Sequence, residues 1–465
     1  MTVEAKSDIQ VHRLTEGTFL LCSPQGNILF GCPPEILKRI LAAHLPMPDT
    51  VVVPEKLFHH RSSQASLEFP LYHFLFVQRG LERKRRFQVV ANPNQCGGLE
   101  ELLRVTVVGP NKEEMVRAGT REDIASDIYQ ETHYLSLKNP DTEAPYTIRE
   151  MINFFPLSKG ERCEIYPARS KMPEVLLERS GDAEFRILYG EDAIDFDLSV
   201  SNPQSPNYDI DHQTFDRSDN VFKLAILGRS NGFDPSYPAN GYLINANGRI
   251  ILWDCPAYLN IHLQKLGISL DDIDALILSH VHEDHIDTIE SLRDPPLELY
   301  TTPEIYFSLL VKMAAVFNCS LESARKYHNL HHIEIGKPME ICGAEFEFFH
   351  SVHAIPALGC RMRASVHGKS GLLHISGDQL SNASLEEMKS GNGISHRRFE
   401  QHSKPLKGDE SLVLMDAGGG AIHGDYRDYL DSKVRFGFMH TGLIQEELPP
   451  NMELVESGQV LDVIG

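Results

Sequence analysis

Within six consecutive positions the chain carries three histidines and an aspartate, in the run His280-Val281-His282-Glu283-Asp284-His285. Neutral imidazoles and a carboxylate are ligands for Zn²⁺ or iron. An apolar run, Ala275 to Leu278, comes before them and reads as a buried strand, and a helical pattern follows from Ile286. Side chains at the mouth of a strand-to-helix turn fan into one pocket, so donors this close together can converge on metal. Other candidate donors also stand at the ends of apolar runs. Asp254 closes Ile250-Ile251-Leu252-Trp253, and Asp378 closes Leu372-Leu373-His374-Ile375-Ser376-Gly377. His440 follows Phe436-Gly437-Phe438-Met439. His350 and His353 both lie in or just beyond Phe348-Phe349-His350-Ser351-Val352-His353.

The elements that must position these groups can be read around them. Gly241 to Ile244 and Ile250 to Trp253 form a hairpin across Asn245-Ala246-Asn247-Gly248. Its second strand ends in Asp254. This hairpin, the H-x-H-x-D-H run after a buried strand, and the later histidine, aspartate and histidine at strand ends resemble, in order, the five motifs of the metallo-β-lactamase fold. That fold is an α/β class, four-layer αββα sandwich of metal-dependent hydrolases, and the resemblance covers residues from about 221 to 465.

The resemblance implies roles. His280, His282 and His353 would hold one metal, and Asp284, His285 and His440 a second. Asp378 would bridge both beside a water or hydroxide. His353 is taken over His350 because the spacing H-x-I-P-x-L-G from His353 to Gly359 resembles the third motif of the family's phosphodiesterase branch. Asp254 would orient a ligand histidine. Two divalent ions are expected, zinc first, with iron or manganese as the other candidates. Such a pair lowers the pKa of a shared water and stabilises charge on the attacking and leaving oxygens; Asp284 would also receive the water's proton.

Between Asp378 and His440 lies Val413-Leu414-Met415-Asp416-Ala417-Gly418-Gly419-Gly420-Ala421-Ile422-His423. It resembles the region of ribonuclease Z and related phosphodiesterases in which an acidic residue and a histidine protonate the leaving oxygen. His423 would then be the general acid and Asp416 its orienting partner. An aspartate stands here in place of the family's glutamate, and three glycines intervene. Those glycines read as a turn, or as a backbone cradle for an anion.

The first half reads as a degenerate copy of the second. Gly26 to Pro33 parallels Gly248 to Pro256, each followed by an amphipathic helical stretch (Glu35 to Ala43; Tyr258 to Leu266). Asp49 to Val53 parallels Asp274 to Leu278. Glu55 then falls at the position of His280, Leu57 at that of His282, His59 and His60 at those of Asp284 and His285, Gly31 at that of Asp254, and Ser170 at that of His353. Leucine cannot ligate, so no dinuclear site is expected there. The expected organisation is a metal-free copy over 1–200, a linker rich in Asn, Pro, Ser and Asp over 201–220, and a catalytic domain over 221–465. A monomeric pseudo-dimer and a homodimer both suit such a chain.

Composition bounds the partners. With 465 residues, 42% hydrophobic and 23% charged, the chain suits two ordinary globular domains. A net charge of −21 disfavours nucleic acid, tRNA included, as the substrate. The basic run Arg79, Arg83, Lys84, Arg85, Arg86 is the local exception, either a solvated face or a patch for a polyanion. No membrane-spanning run of 18 apolar residues occurs. Met1 to Gln10 lacks the pattern of a signal peptide. Eight dispersed cysteines without a C-x-x-C pair fit reduced thiols, so a cytoplasmic location is expected.

These readings point to a dinuclear metallo-hydrolase acting through a bridging hydroxide on a small phosphodiester or related ester. Three alternatives stand beside it: a diiron oxygenase on the same fold, a metal-binding sensor or scaffold without turnover, and an RNA-processing nuclease.

Overall fold

The computed structural model describes residues 2–6, 8–59, 62–169, 172–287 and 296–464. Two compact units emerge. One comprises Met1–Leu103, Tyr146–Asn207 and Val311–Ser320; the other comprises Arg104–Pro145, Tyr208–Leu310 and Leu321–Gly465. The expected linker contains the step from Asn207 to Tyr208, but the units also exchange segments that a single cut along the chain cannot express.

In the first unit β1 (Thr2–Lys6), β2 (Ile9–Thr15), β3 (Thr18–Ser23), β4 (Gly26–Phe30) and β5 (Thr50–Val52) lie side by side in that order. A short ladder, β6 (Phe58–His59) with β7 (Ser62–Ser63), follows, and β8 (Phe87–Ala91) and β9 (Ile152–Pro156) complete the sheet beyond β5. β10 (Arg162–Tyr166), β11 (Val175–Arg179), β12 (Glu184–Tyr189) and β13 (Asp192–Asp197) form an antiparallel meander. The two sheets share a core in which Ile28, Phe30, Val52, Leu177, Ile187 and Phe196 are buried. Phe30 and Phe196 stack at 4.0 Å between ring centroids. Burying side chains of this size stabilises by about 2–3 kcal/mol each.

The second unit builds one seven-stranded sheet from β14 (Phe222–Gly228), β15 (Gly241–Ala246), β16 (Arg249–Trp253), β17 (Ala275–Ile277), β18 (Leu297–Thr301), β19 (His328–His332) and, at the far edge, β27 (Val460–Asp462). Another sheet of seven runs in chain order through β20 (Pro338–Ile341), β21 (Ala344–Ser351), β22 (Ala357–Val366), β23 (Lys369–Ile375), β24 (Leu412–Asp416), β25 (Phe436–Met439) and β26 (Met452–Leu454). This is the αββα sandwich that the resemblance implies. The β15–β16 hairpin turns at Asn247 (φ 55°) and Gly248 (φ 80°), two successive left-handed residues of the kind a tight hairpin with the native twist requires. Buried Tyr242 of β15 donates its hydroxyl to Asn240 Oδ1 at 2.7 Å and also meets Met439 of β25, so the two sheets touch directly beneath the site.

The first sheets of the two units share strand order. β3–β4 and β15–β16 are antiparallel hairpins, followed in each unit by three parallel strands. Register agrees as well: Phe30 faces Val52 as Trp253 faces Ile277. Gly31 N donates to Val52 O and Asp254 N to Ile277 O, both at 2.9 Å. Gly31 therefore occupies the place of Asp254, and Glu55 that of His280. Among the described residues the first unit has no counterpart of β24 to β26. His60 and Ser170 lie outside the described residues, as does most of the helix expected from Ile286; Ile286 itself forms a bridge to Cys255.

Helices Lys112–Ala118 and Glu122–Leu135 belong to the second unit although they precede it in sequence. Asn111 and Glu114 close a capping box that starts the first of them. On the second, buried Glu131 takes both arms of Arg398, at 2.8 and 2.9 Å. No single helix among the described residues is long and apolar enough to cross a membrane, and all eight cysteines are free thiols.

Candidate metal centre

Every candidate donor lies at or just beyond the C-terminal end of a strand in the second unit. Asp254 follows β16, His280 to His285 follow β17, His353 follows β21, Asp378 follows β23, Asp416 ends β24 and His440 follows β25. Because these strands end on one side of the two sheets, their last residues share one pocket. Two of them, Asp254 (φ 63°) and His440 (φ 66°), hold left-handed backbone that residues other than glycine rarely adopt. Such strain costs on the order of 1–3 kcal/mol and persists where the surroundings enforce it. Gly377 (φ 62°) turns the chain into Asp378 where any side chain would collide with Leu358 O.

His280, His282, His353 and Asp378 each bring one donor atom within 4.8 Å of the others, and so do Asp284, His285 and His440. His282 Nδ1 lies 3.1 Å from both His280 Nε2 and His353 Nε2. Asp378 Oδ2 lies 3.7 Å from His280 Nε2, 3.6 Å from His353 Nε2 and 3.4 Å from His440 Nε2. Its Oδ1 lies 3.4 Å from His285 Nε2, and Asp284 Oδ2 stands 3.4 Å from His440 Nε2. Asp378 thus faces both groups of histidines. All seven side chains are buried.

The hydrogen bonds behind the donors fix their rings. Asp254 takes His285 Nδ1–H at 2.8 Å and is itself held by Ser279 N and Oγ, each at 2.7 Å. His353 donates Nδ1–H to Ile422 O at 3.1 Å. Both rings therefore turn Nε2 towards the pocket; burial acts against charge on His285, but Asp378, Asp284 and Asp254 outweigh it and hold that imidazole well above the usual histidine range. Burial drives His280 and His282 well below the usual histidine range and His353 down to about 4. Burial acts against charge on Asp378 as well, but His440, His285 and His280 hold it well below the usual carboxylate range. The imidazoles of His280 and His353, each 3.1 Å from that of His282 and 3.7 and 3.6 Å from an ionised carboxylate, suit a divalent cation chemically, because the cation satisfies lone pairs that otherwise repel each other.

His423 and Asp416 meet at the rim. His423 Nδ1 lies 2.9 Å from Asp416 Oδ2, which also accepts Gln379 N at 3.1 Å, while Oδ1 accepts Gly418 N at 2.8 Å. Burial alone would lower His423, but Asp416 outweighs it and raises the imidazole to about 9. The three glycines form a turn: Gly419 N donates to Gly424 O, and Gly419 and Gly420 are left-handed. A Cβ on Gly418 would lie 2.9 Å from the His423 ring and 3.2 Å from His440 Nδ1, so its absence lets those two rings stack at 4.4 Å.

His350 stands apart from the donors. Its Nε2 pairs with buried Glu304 at 2.5 Å, and Thr120 binds the same carboxyl. Sequence reading did not foresee the network behind Asp378: His402 Nδ1 lies 3.1 Å from Gln379 Oε1, and Arg398, anchored on Glu131, lies 2.7 Å from His402 Nε2. The sequence signal was Gln379 directly beside Asp378; its partners come from helices far along the chain.

The chain is similar in parts to several known proteins. The family model for the anti-Pycsar protein Apyc1 matches residues 222–391. The cGMP-dependent 3′,5′-cGMP phosphodiesterase A of Dictyostelium discoideum is 32% identical over 216 residues, 46% of this chain and 24% of the relative. The cAMP/cGMP-dependent 3′,5′-cAMP/cGMP phosphodiesterase B of the same organism is 22% identical over 468 residues, 88% of this chain and 41% of the relative. The chain thus spans less than half the length of either. A solved diphosphatase of the PhnP family aligns with 52% of this chain and 96% of its own, at 17% identity and a TM-score of 0.39.

Proposed function

We propose that this chain, whose second unit has the metallo-β-lactamase fold, is a metal-dependent phosphodiesterase that opens a 3′,5′-cyclic nucleotide. The observation that carries this reading is Asp378, a buried carboxylate facing two groups of histidines with the His423–Asp416 pair 3.8 Å away. The names of the two phosphodiesterase relatives support the substrate class.

His280, His282, His353 and Asp378 would hold one divalent cation, and Asp284, His285, His440 and Asp378 the other. When bound, the pair supplies an activated water and neutralises phosphate charge. Asp254 keeps His285 in the tautomer that leaves Nε2 free to ligate. The water oxygen bonds to phosphorus and the bond from phosphorus to the 3′ oxygen breaks. Asp284 accepts the proton the water releases. His423, with Nδ1–H held by Asp416, gives its Nε2 proton to the departing 3′ oxygen. The product is a nucleoside 5′-monophosphate.

The test is chromatography of products from 3′,5′-cGMP and 3′,5′-cAMP with the purified chain and with Asp378→Ala. Formation of the 5′-monophosphate by the parent alone is expected. Turnover of bis-p-nitrophenyl phosphate without turnover of either cyclic nucleotide would overturn the substrate, and equal activity in Asp378→Ala would overturn the centre. Metal analysis with an optical spectrum separates zinc from iron, and an iron charge-transfer band would favour the oxygenase.

A further inference from the structure

The basic run of the first unit takes part in a cavity unrelated to the metal centre. A space of about 200 Å³ is lined by Lys84, Arg85, Arg86 and Arg169 together with Tyr166 and Gln25, among others. It lies at the starting ends of β4, β5, β8 and β9, since Gly26 and Thr50 open their strands, and Gln88 and Asn153 are second in theirs. The metal donors of the second unit sit at the opposite, C-terminal strand ends, so this cavity is not the remnant of a lost metal site.

Its floor is already satisfied. Asp49, 5% exposed, takes an ion pair from Arg85 and the hydroxyl of Tyr166, which is 7% exposed. Tyr166 also meets Thr50 Oγ1 at 2.8 Å, and Thr50 meets Gln88 Oε1 at 3.0 Å. The one carboxylate of the cavity is therefore neutralised by the one arginine beside it. Three further cations remain. Arg86 is bonded to the neutral amide of Asn153 at 3.3 Å and also stands near the carboxylate of Glu150, whereas Lys84 and Arg169 have no carboxylate partner among the described residues. Lys84 holds left-handed backbone at φ 56°. In a chain with net charge −21, where most other arginines lie against carboxylates, three cations from two segments around one cavity, two of them without a carboxylate partner among the described residues, are an unusual concentration. Gln25 Oε1 is buried with no donor, so the cavity also offers an acceptor for a ligand hydroxyl. In the second unit the equivalent Asp274 is taken by Arg249 Nη1 at 2.7 Å and Ile250 N at 2.8 Å, and no comparable basic group converges there among the described residues.

We infer that this cavity binds the dianion of a small phosphomonoester, with Lys84, Arg86 and Arg169 on the phosphoryl oxygens and Gln25 on a neighbouring hydroxyl. Charge-assisted bonds to phosphate are the strong class of hydrogen bond, and arginine suits its geometry. The cavity is large enough for a phosphate and a few carbons but too small for a nucleic-acid strand.

The test is isothermal titration of the full chain with inorganic phosphate and with glycerol 3-phosphate, after chelation so that the metal centre contributes nothing. Saturable binding of both is expected. It should weaken about tenfold or more in Arg86→Glu/Arg169→Glu, and in the milder Arg86→Gln if the double variant does not fold. Arg83→Glu, an exposed charge change outside the cavity, should leave affinity within about twofold, the scale of surface electrostatics. Absence of saturable binding, unchanged affinity in both Arg86 variants, or an equal loss in Arg83→Glu would each overturn the assignment.

Discussion

The two units run the same strand order into opposite outcomes at the same place. At the end of β16 and β17 the second unit has Asp254 and His280; at the end of β4 and β5 the first has Gly31 and Glu55. Asp254 holds φ 63° and Gly31 holds φ 80°, so both units bend the backbone here but only the second carries a side chain at the bend. Glu55 lies against buried Arg179 and accepts Asn92 Nδ2 at 3.0 Å, an ion pair where the other unit gathers imidazoles. No group of three or more donors occurs in the first unit among its described residues. Among the described residues β24 and β25, which bring Asp416 and His440, also have no counterpart there. The bend thus belongs to the scaffold, whereas the donors and the extra parallel strands belong to the chemistry.

Substitutions in the two units should therefore have different consequences. The largest effect after loss of Asp378 is expected at His423. His423→Ala should slow cyclic-nucleotide hydrolysis by about 10²–10⁴-fold, the usual contribution of a general acid. It should spare bis-p-nitrophenyl phosphate, whose leaving group needs no proton. The pH profile adds a second reading. Because the folded pKa of His423 is raised, the proton is present at neutral pH and lost as pH rises, so the parent should show an alkaline limb at or below about 9 that the variant lacks. Asp254→Ala should cost about 10–100-fold in metal affinity, measured by competition with a chelator, because His285 loses the acceptor that sets its tautomer.

In the first unit the effects should be on stability alone. A Cβ at Gly31 would stand 2.5 Å from Gly17 O on left-handed backbone, so Gly31→Ala should lower stability to urea by about 2–3 kcal/mol while kcat per folded molecule holds. The smallest effect is expected from Glu55→Gln: no change in kcat, since no metal donor set includes it.

Much of the site could be read from residue order because each donor follows an apolar run, and a strand end is a local pattern. The β15–β16 hairpin, the end of β23 before Asp378 and the pairing of Asp416 with His423 all lie within short windows. The choice between His350 and His353 required geometry: both occupy the same strand end, and only the partner Glu304, distant in sequence, shows where His350 points. Residues 104–145 packing within the second unit could not be foreseen either, because the Glu131–Arg398 pair that anchors them spans much of the chain. The likeness of β4 and β5 to β16 and β17 was legible from the Cys-Pro that follows each hairpin, and Leu57 stands in the first unit where a ligand histidine stands in the second.

As proposed above, Asp378 would join two groups of histidines into one dinuclear centre. Metal content per chain, measured by plasma emission on protein loaded with zinc and then desalted, tests it most directly. About two equivalents are expected for the parent, and one or fewer for Asp378→Ala, with cyclic-nucleotide hydrolysis lost in parallel. A variant that keeps both metals and its activity would show that Asp378 does not join the two sites.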